Sequence, residues 1–245
     1  MSRPFRDDAP NAVFHVTARV NWRVFHLEPQ FCADVFYHLL DGCLDRFDVD
    51  LLSDILMSNH FHIVVRSPED ERYRELTTRR TRCRHRLPWP PGHEKRSVLA
   101  QFMKRLMYCT SRSIQERLGL TGRFWEEPYH SRRVLDATDL VVTIAYDHMN
   151  PVVANMTRLP DEYPRSSAGW WGGTAGSPVT LLRRPPPFGL KTEELRREVL
   201  RYQADRGFPD AMAEFAASGA TLGSEEALER LKEVLRNRGM GRGAE

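Results

Sequence analysis

The stretch MSNHFHIVVRS, residues 57–67, decides the fold. Two histidines one residue apart lead directly into the apolar run Ile63-Val64-Val65. Side chains alternate along an extended chain, so His60 and His62 share one face while Phe61, Ile63 and Val65 take the other. Just upstream, VDLLSDILM (49–57) is another strand-like run, and Ser58-Asn59 between the two is a short hairpin signal. Two imidazoles converging on one spot can be a metal site, a phosphate contact or neither. The rest of the chain has to discriminate.

Working outward, NAVFHVTARV (11–20) alternates and is rich in β-formers, which predicts a strand. PQFCADVFYHLLDGCLDRF (29–47) carries Phe31, Val35, Leu39, Leu40, Leu44 and Phe47 at helical spacing, just after a proline. Residues 97–119 predict an amphipathic helix with Ser97 as N-cap and Gly119 as its stop. YHSRRVLD (129–136) predicts a strand, and 136–150 a helix that Pro151 ends. The order is the α+β, ferredoxin-like split β-α-β-β-α-β arrangement, an antiparallel sheet with helices packed on one face. That unit is expected over residues 1–170. A Gly/Pro-rich linker follows at 171–189, then a helical extension at 190–245 whose amphipathic segments are KTEELRREVLRYQADRG and SEEALERLKEVLRNRG.

In a chain of 245 residues, 41% hydrophobic and 28% charged content is ordinary for a soluble globular protein. No apolar run approaches the roughly 18–20 residues a bilayer requires. MSRPFRDDAP lacks the apolar core of a signal peptide, which predicts a cytoplasmic protein with no membrane partner. Cys32, Cys43, Cys83 and Cys109 are scattered, so neither a disulfide framework nor a zinc ribbon is indicated.

The net charge of +3 conceals an asymmetry: residues 71–133 hold 16 Lys and Arg against 6 Asp and Glu, and the remainder 20 against 27. Arg72, Arg74, Arg79, Arg80, Arg82, Arg84 and Arg86 fall close together, ahead of the irregular loop LPWPPG (87–92). The arginine fork suits phosphate, so the cluster is a footprint for a polyanion.

H-x-H alone is weak evidence. It gains weight from YDHMNP (146–151), in which Tyr146 and Asn150 stand at i and i+4 on one helix face, near a terminus able to cover the histidine face of the sheet. MSNHFHIVV, GRFWEEPYHSRRV, AYDHMNPVVANM and DEYPRSSAG, in that order, resemble the single-tyrosine HUH transposases, most of all the REP-associated tyrosine transposases. The resemblance spans about residues 5–170 and rests on the joint occurrence of the four stretches. HUH denotes His-hydrophobic-His, matched by His60-Phe61-His62.

The resemblance implies the same split fold and a metal-dependent endonuclease and strand transferase acting on single-stranded DNA, often beside a hairpin. It implies Tyr146 as the nucleophile and His60, His62 and Asn150 as metal ligands. Two imidazoles and an amide oxygen leave positions open for phosphate and water, which suits Mg²⁺ or Mn²⁺ better than a closed zinc site. A monomer is expected, as for the REP-associated members, with the dimer of the insertion-sequence members as the alternative. Arg79, Arg80, Arg82, Arg84, Arg86, Lys104, Arg105 and Arg112 would follow the DNA backbone, and Trp89 would stack on unpaired bases. Phe124 and Trp125 are either stacking residues or core. Tyr129 is a rival nucleophile, and His130 and His148 are read as structural or solvent-facing. Asp147 departs from the pattern, standing where relatives commonly carry an apolar residue; beside the nucleophile it can face solvent harmlessly or perturb the site. Two alternatives remain: a non-catalytic DNA-hairpin-binding module on the same fold, and a hydrolase in which the histidines activate water.

Overall fold

The computed structural model describes residues 8–78, 97–217, 225–238 and 240. Four strands, β1 (Val13–Arg19), β2 (Asp50–Leu56), β3 (His60–Arg66) and β4 (His130–Val134), form one antiparallel sheet in the order β2-β3-β1-β4. The β2–β3 hairpin closes through Ser58-Asn59, with the Met57 amide donating to the His60 carbonyl at 2.8 Å. The helices are α1 (Gln30–Phe47), α2 (Asp70–Thr78), α3 (Val98–Leu118), α4 (Ala137–Val153), α5 (Ala168–Gly172), α6 (Thr192–Ala204), α7 (Phe208–Ala217) and α8 (Glu225–Asn237). The split β-α-β-β-α-β order is the expected one. The helix α3 begins on a Ser97 cap, whose hydroxyl accepts from the Ala100 amide at 2.9 Å, and ends on Gly119 at φ 65°.

Strand alternation sorts the sheet into two faces. Phe14, Val16 and Ala18 of β1 and Phe61, Ile63 and Val65 of β3 point into one core with Phe36 and Leu40 of α1 and Phe102 and Leu106 of α3. Val13, Val64 and Val134 point the other way, into a second core with α4, α6, α7 and α8. Helices therefore cover both faces, with α1 and α3 on one and α4 on the other. The reason is legible in α4, which buries residues Asp139–Met149 around its whole circumference and so needs the sheet on one side and the C-terminal helices on the other. Its start is held by buried Asp139, which takes ion pairs from Arg132 and from Lys232 of α8.

Pro151 does not end α4, which runs on to Val153. A proline removes the amide that would bond the carbonyl four residues back, here Asp147. Asn150 replaces that donor: its Nδ2 bonds the Asp147 carbonyl at 3.2 Å and the Tyr146 carbonyl at 2.9 Å. The helix survives because its own side chain repairs the break.

Residues 173–190 carry no helix or strand but lie packed. Val179 and Leu181 enter the first core, and the Leu182 amide bonds the Leu51 carbonyl at 2.9 Å.

Candidate metal and nucleophile site

The second face of the sheet is polar at one end. Thr17 pairs with His62 and Arg19 with His60, and His15 precedes Thr17 in the same alternation. Helix α4 lies over this end and lowers Asp147 onto it. His15 Nε2 donates to Asp147 Oδ1 at 3.0 Å, His62 Nδ1 lies 3.4 Å from the same oxygen, and the two ring nitrogens are 3.2 Å apart. All three residues are buried, Asp147 completely, and its Oδ2 has no hydrogen-bond partner among the described residues. The carboxylate accepts the His15 N–H, and a proton on His62 Nδ1, which faces the same oxygen, leaves the His62 lone pair on Nε2.

Its neighbour is held in the same way. His60 Nδ1 donates to the Asn59 Oδ1 at 2.7 Å, leaving its Nε2 as the acceptor nitrogen. The His60 and His62 rings stand edge to face at 5.1 Å, and the Tyr146 ring stands edge to face with His62 at 6.1 Å. Burial, helped by Arg19, pushes His60 down to about 4. Burial also holds His62 well below the usual histidine range, against the pull of Asp147. Both rings are neutral at pH 7, the state in which imidazole binds a metal.

Of the residues expected at the site, His60, His62 and Tyr146 come together. Asn150 sits one turn beyond Tyr146, and because its nitrogen is used by two carbonyls its Oδ1 is the atom left to face outward. Tyr146 is largely covered, its ring set edge to face against Phe215 of α7 at 6.0 Å. Lys104, Arg105 and Arg112 are exposed on α3, in the layer across the sheet from the histidines, so the fold does not bring them to the site. Arg79, Arg80, Arg82, Arg84, Arg86 and Trp89 lie outside the described residues.

Phe124 and Trp125 are core residues, with Trp125 Nε1 donating to the Met107 carbonyl at 2.9 Å, and so are unavailable for stacking. Tyr129, in that same core, is separated from the histidine face by the sheet. His148 is structural: its Nε2 meets the Ser53 and Ser167 hydroxyls at 3.1 and 2.9 Å, and its Nδ1 meets Gln203 of α6 at 2.7 Å.

Sequence reasoning passed over His15 and Asn59. His15 was findable, since it shares the period-two register of Thr17 and Arg19. Asp147 faces the site rather than solvent, where it forms with His15 and His62 a group able to hold a metal ion.

The fold is that of a solved REP-associated tyrosine transposase bound to a REP hairpin, with a TM-score of 0.50, 14% identity, and coverage of 74% of this chain and 95% of that one. A second solved structure, described as a transposase of Deinococcus radiodurans R1, is 15% identical, covering 58% of this chain and 92% of that one at a TM-score of 0.34. No family model and no curated protein matches the chain. Among the described residues no helix is long and apolar enough to cross a membrane.

Proposed function

We propose that this chain is a metal-dependent single-strand DNA endonuclease and strand transferase, acting beside DNA hairpins through Tyr146. The observation that carries the reading is the placement of a tyrosine ring against His62, on a helix laid over two neutral, preoriented histidines. The shared fold with a hairpin-bound REP-associated tyrosine transposase supports it.

The donor set fits a divalent ion. His60 and His62 would offer Nε2, and Asn150 its Oδ1, with coordination positions left for phosphate and water. Mg²⁺ or Mn²⁺ there would act as a Lewis acid on the scissile phosphate. The chain's residues do the rest. Asp147 and Asn59 hold the two imidazoles in the ligating tautomer. Tyr146 Oη attacks phosphorus, forming a 5′-phosphotyrosine as the P–O3′ bond breaks to leave a free 3′-OH. Tyrosinate, with a parent pKa of about 10, is a competent leaving group, so a 3′-OH can reverse the step and rejoin DNA without ATP. A single-stranded hairpin substrate and a monomeric enzyme belong to the same reading.

One observation favours the non-catalytic alternative, the cover that Phe215 places on Tyr146. A strand must approach the tyrosine at its exposed edge or displace α7. Incubating hairpin DNA, labelled at its 3′ end downstream of the cut, with Mn²⁺ separates the readings on a denaturing gel run beside a native binding gel. Catalysis predicts strand cleavage in the wild type and in Tyr129→Phe but none in Tyr146→Phe. Binding without cleavage in all three supports the non-catalytic module, and cleavage that survives Tyr146→Phe supports hydrolysis.

A further inference from the structure

The loop between β1 and α1 is unusual in what it exposes and in how firmly it is held. Trp22 is 87% exposed, Phe25 60% and Val24 43%, with exposed Arg23 among them. Large apolar side chains clustered in this way mark a contact surface rather than scatter. The backbone beneath them is also strained, since Trp22 and Arg23 both adopt the left-handed region, at φ 57° and 56°. Bulky residues stay in that region only where the surroundings impose it, and such strain gathers at binding sites.

Here the surroundings are explicit. The Asn21 amide bonds the Phe124 carbonyl at 2.8 Å, the Leu27 amide bonds the Ser58 carbonyl at 3.0 Å, and Asn59 Nδ2 bonds the Arg23 carbonyl at 2.9 Å. Asn59 is also the partner of His60. One side chain therefore ties the aromatic loop to the site, and the loop leaves the sheet at the end where Arg19 pairs with His60.

We infer that Trp22 and Phe25 form a stacking platform for unpaired nucleotides that run on from the phosphate held at His60 and His62, with Arg23 contacting the backbone. The inference rests on the reading that the histidine face handles single-stranded DNA. Aromatic faces take any base, and a pinned loop presents them without an ordering cost at binding. The cationic Arg19 and Arg23 match a polyanion, whereas an apolar protein partner would gain nothing from them. The platform supplies what buried Phe124 and Trp125 cannot.

The test measures binding of wild type, Trp22→Ala, Trp22→Phe and Trp22→Gly to a blunt DNA hairpin and to the same hairpin with a single-stranded overhang, by fluorescence anisotropy. Trp22→Ala should weaken the overhang hairpin by about 5- to 150-fold, the equivalent of one stacked base, and leave the blunt hairpin unchanged. Trp22→Phe should recover most of the loss. Trp22→Gly should bind as poorly as the alanine variant yet melt no lower than wild type, because glycine accepts this φ without strain. A merely structural tryptophan would not separate affinity from stability in that way. Unchanged affinity, equal losses on both hairpins, or a shift in oligomeric state on removing Trp22 would each overturn the platform. Covalent cleavage by the wild type reports on the proposed function independently: adduct formation with no Trp22 effect sinks only the platform, and a Trp22 effect without adduct sinks only the strand-transfer chemistry.

Discussion

Replacing Asp147 by asparagine tests how the site is held. The carboxylate Oδ1 bonds His15 at 3.0 Å and lies 3.4 Å from His62 Nδ1, while Oδ2 is buried without a hydrogen-bond partner among the described residues. Two opposing terms set the stability change. One weakened charge-assisted hydrogen bond costs about 1.5–3 kcal/mol. Removing a buried, half-satisfied carboxylate relieves a desolvation penalty of several kcal/mol. They nearly cancel, so the urea midpoint should shift by the equivalent of no more than about 2 kcal/mol in either direction. Metal affinity has no such compensation. Loss of the carboxylate that orients a ligating histidine lowers affinity by about 10- to 100-fold, or about 1.4–2.7 kcal/mol. Titration calorimetry with MnCl₂ reads this directly beside the urea melts. His15→Ala should behave like Asp147→Asn, whereas His60→Ala should abolish binding. Wild-type Mn²⁺ affinity in Asp147→Asn would refute the orienting role. Binding that survives His60→Ala but vanishes in His15→Ala would place the ion in the buried His15–His62–Asp147 group and refute the proposed ligand set.

Three further outcomes follow from the same geometry. His60 is pushed down to about 4 and His148 to about 3 by burial, both from 6.5, so the unfolded chain binds more protons below pH 6.5. Stability should be complete above that pH and fall as pH drops towards 4, by up to about 1.4 kcal/mol per pH unit per histidine, as read by urea melts across pH 4–7.5; a flat profile would contradict the neutral, buried assignment. Asn150→Ala should lower stability by about 1 kcal/mol, because it strands the carbonyl that Pro151 leaves open, and should abolish metal-dependent cleavage; loss of stability alone would confine Asn150 to helix repair. Neutralising Lys104, Arg105 and Arg112 together should leave the salt dependence of single-strand binding nearly unchanged, since they lie across the sheet from the histidines, while Arg19→Ala should reduce it.

How much of this was legible in the sequence differs from residue to residue. The strand around His60 and His62 was read to its ends because period-two alternation, a two-residue turn and an apolar run all agreed. Helix α3 was equally clear from Ser97 and Gly119. Pro151 misled, because a proline removes a donor and only the folded helix reveals that Asn150 supplies another. Helix α7 went unseen: it is short, with an early proline at Pro209, and its apolar residues make sense only against Tyr146. The His15–Asp147 contact joins residues 132 apart, beyond any local signal. Asp147 stood out as a departure, but its direction was decided by the packing of α4 on the sheet. The exposed aromatic loop was missed for the opposite reason, since left-handed Trp22 is something no propensity predicts.

The most direct measurement is mass spectrometry of the protein after incubation with hairpin-bearing single-stranded DNA and Mn²⁺, followed by nuclease and protease digestion. The account predicts a peptide carrying a nucleotide phosphate on Tyr146, absent from Tyr146→Phe. Cleaved DNA with the adduct on Tyr129, or with no adduct on any tyrosine, would contradict it.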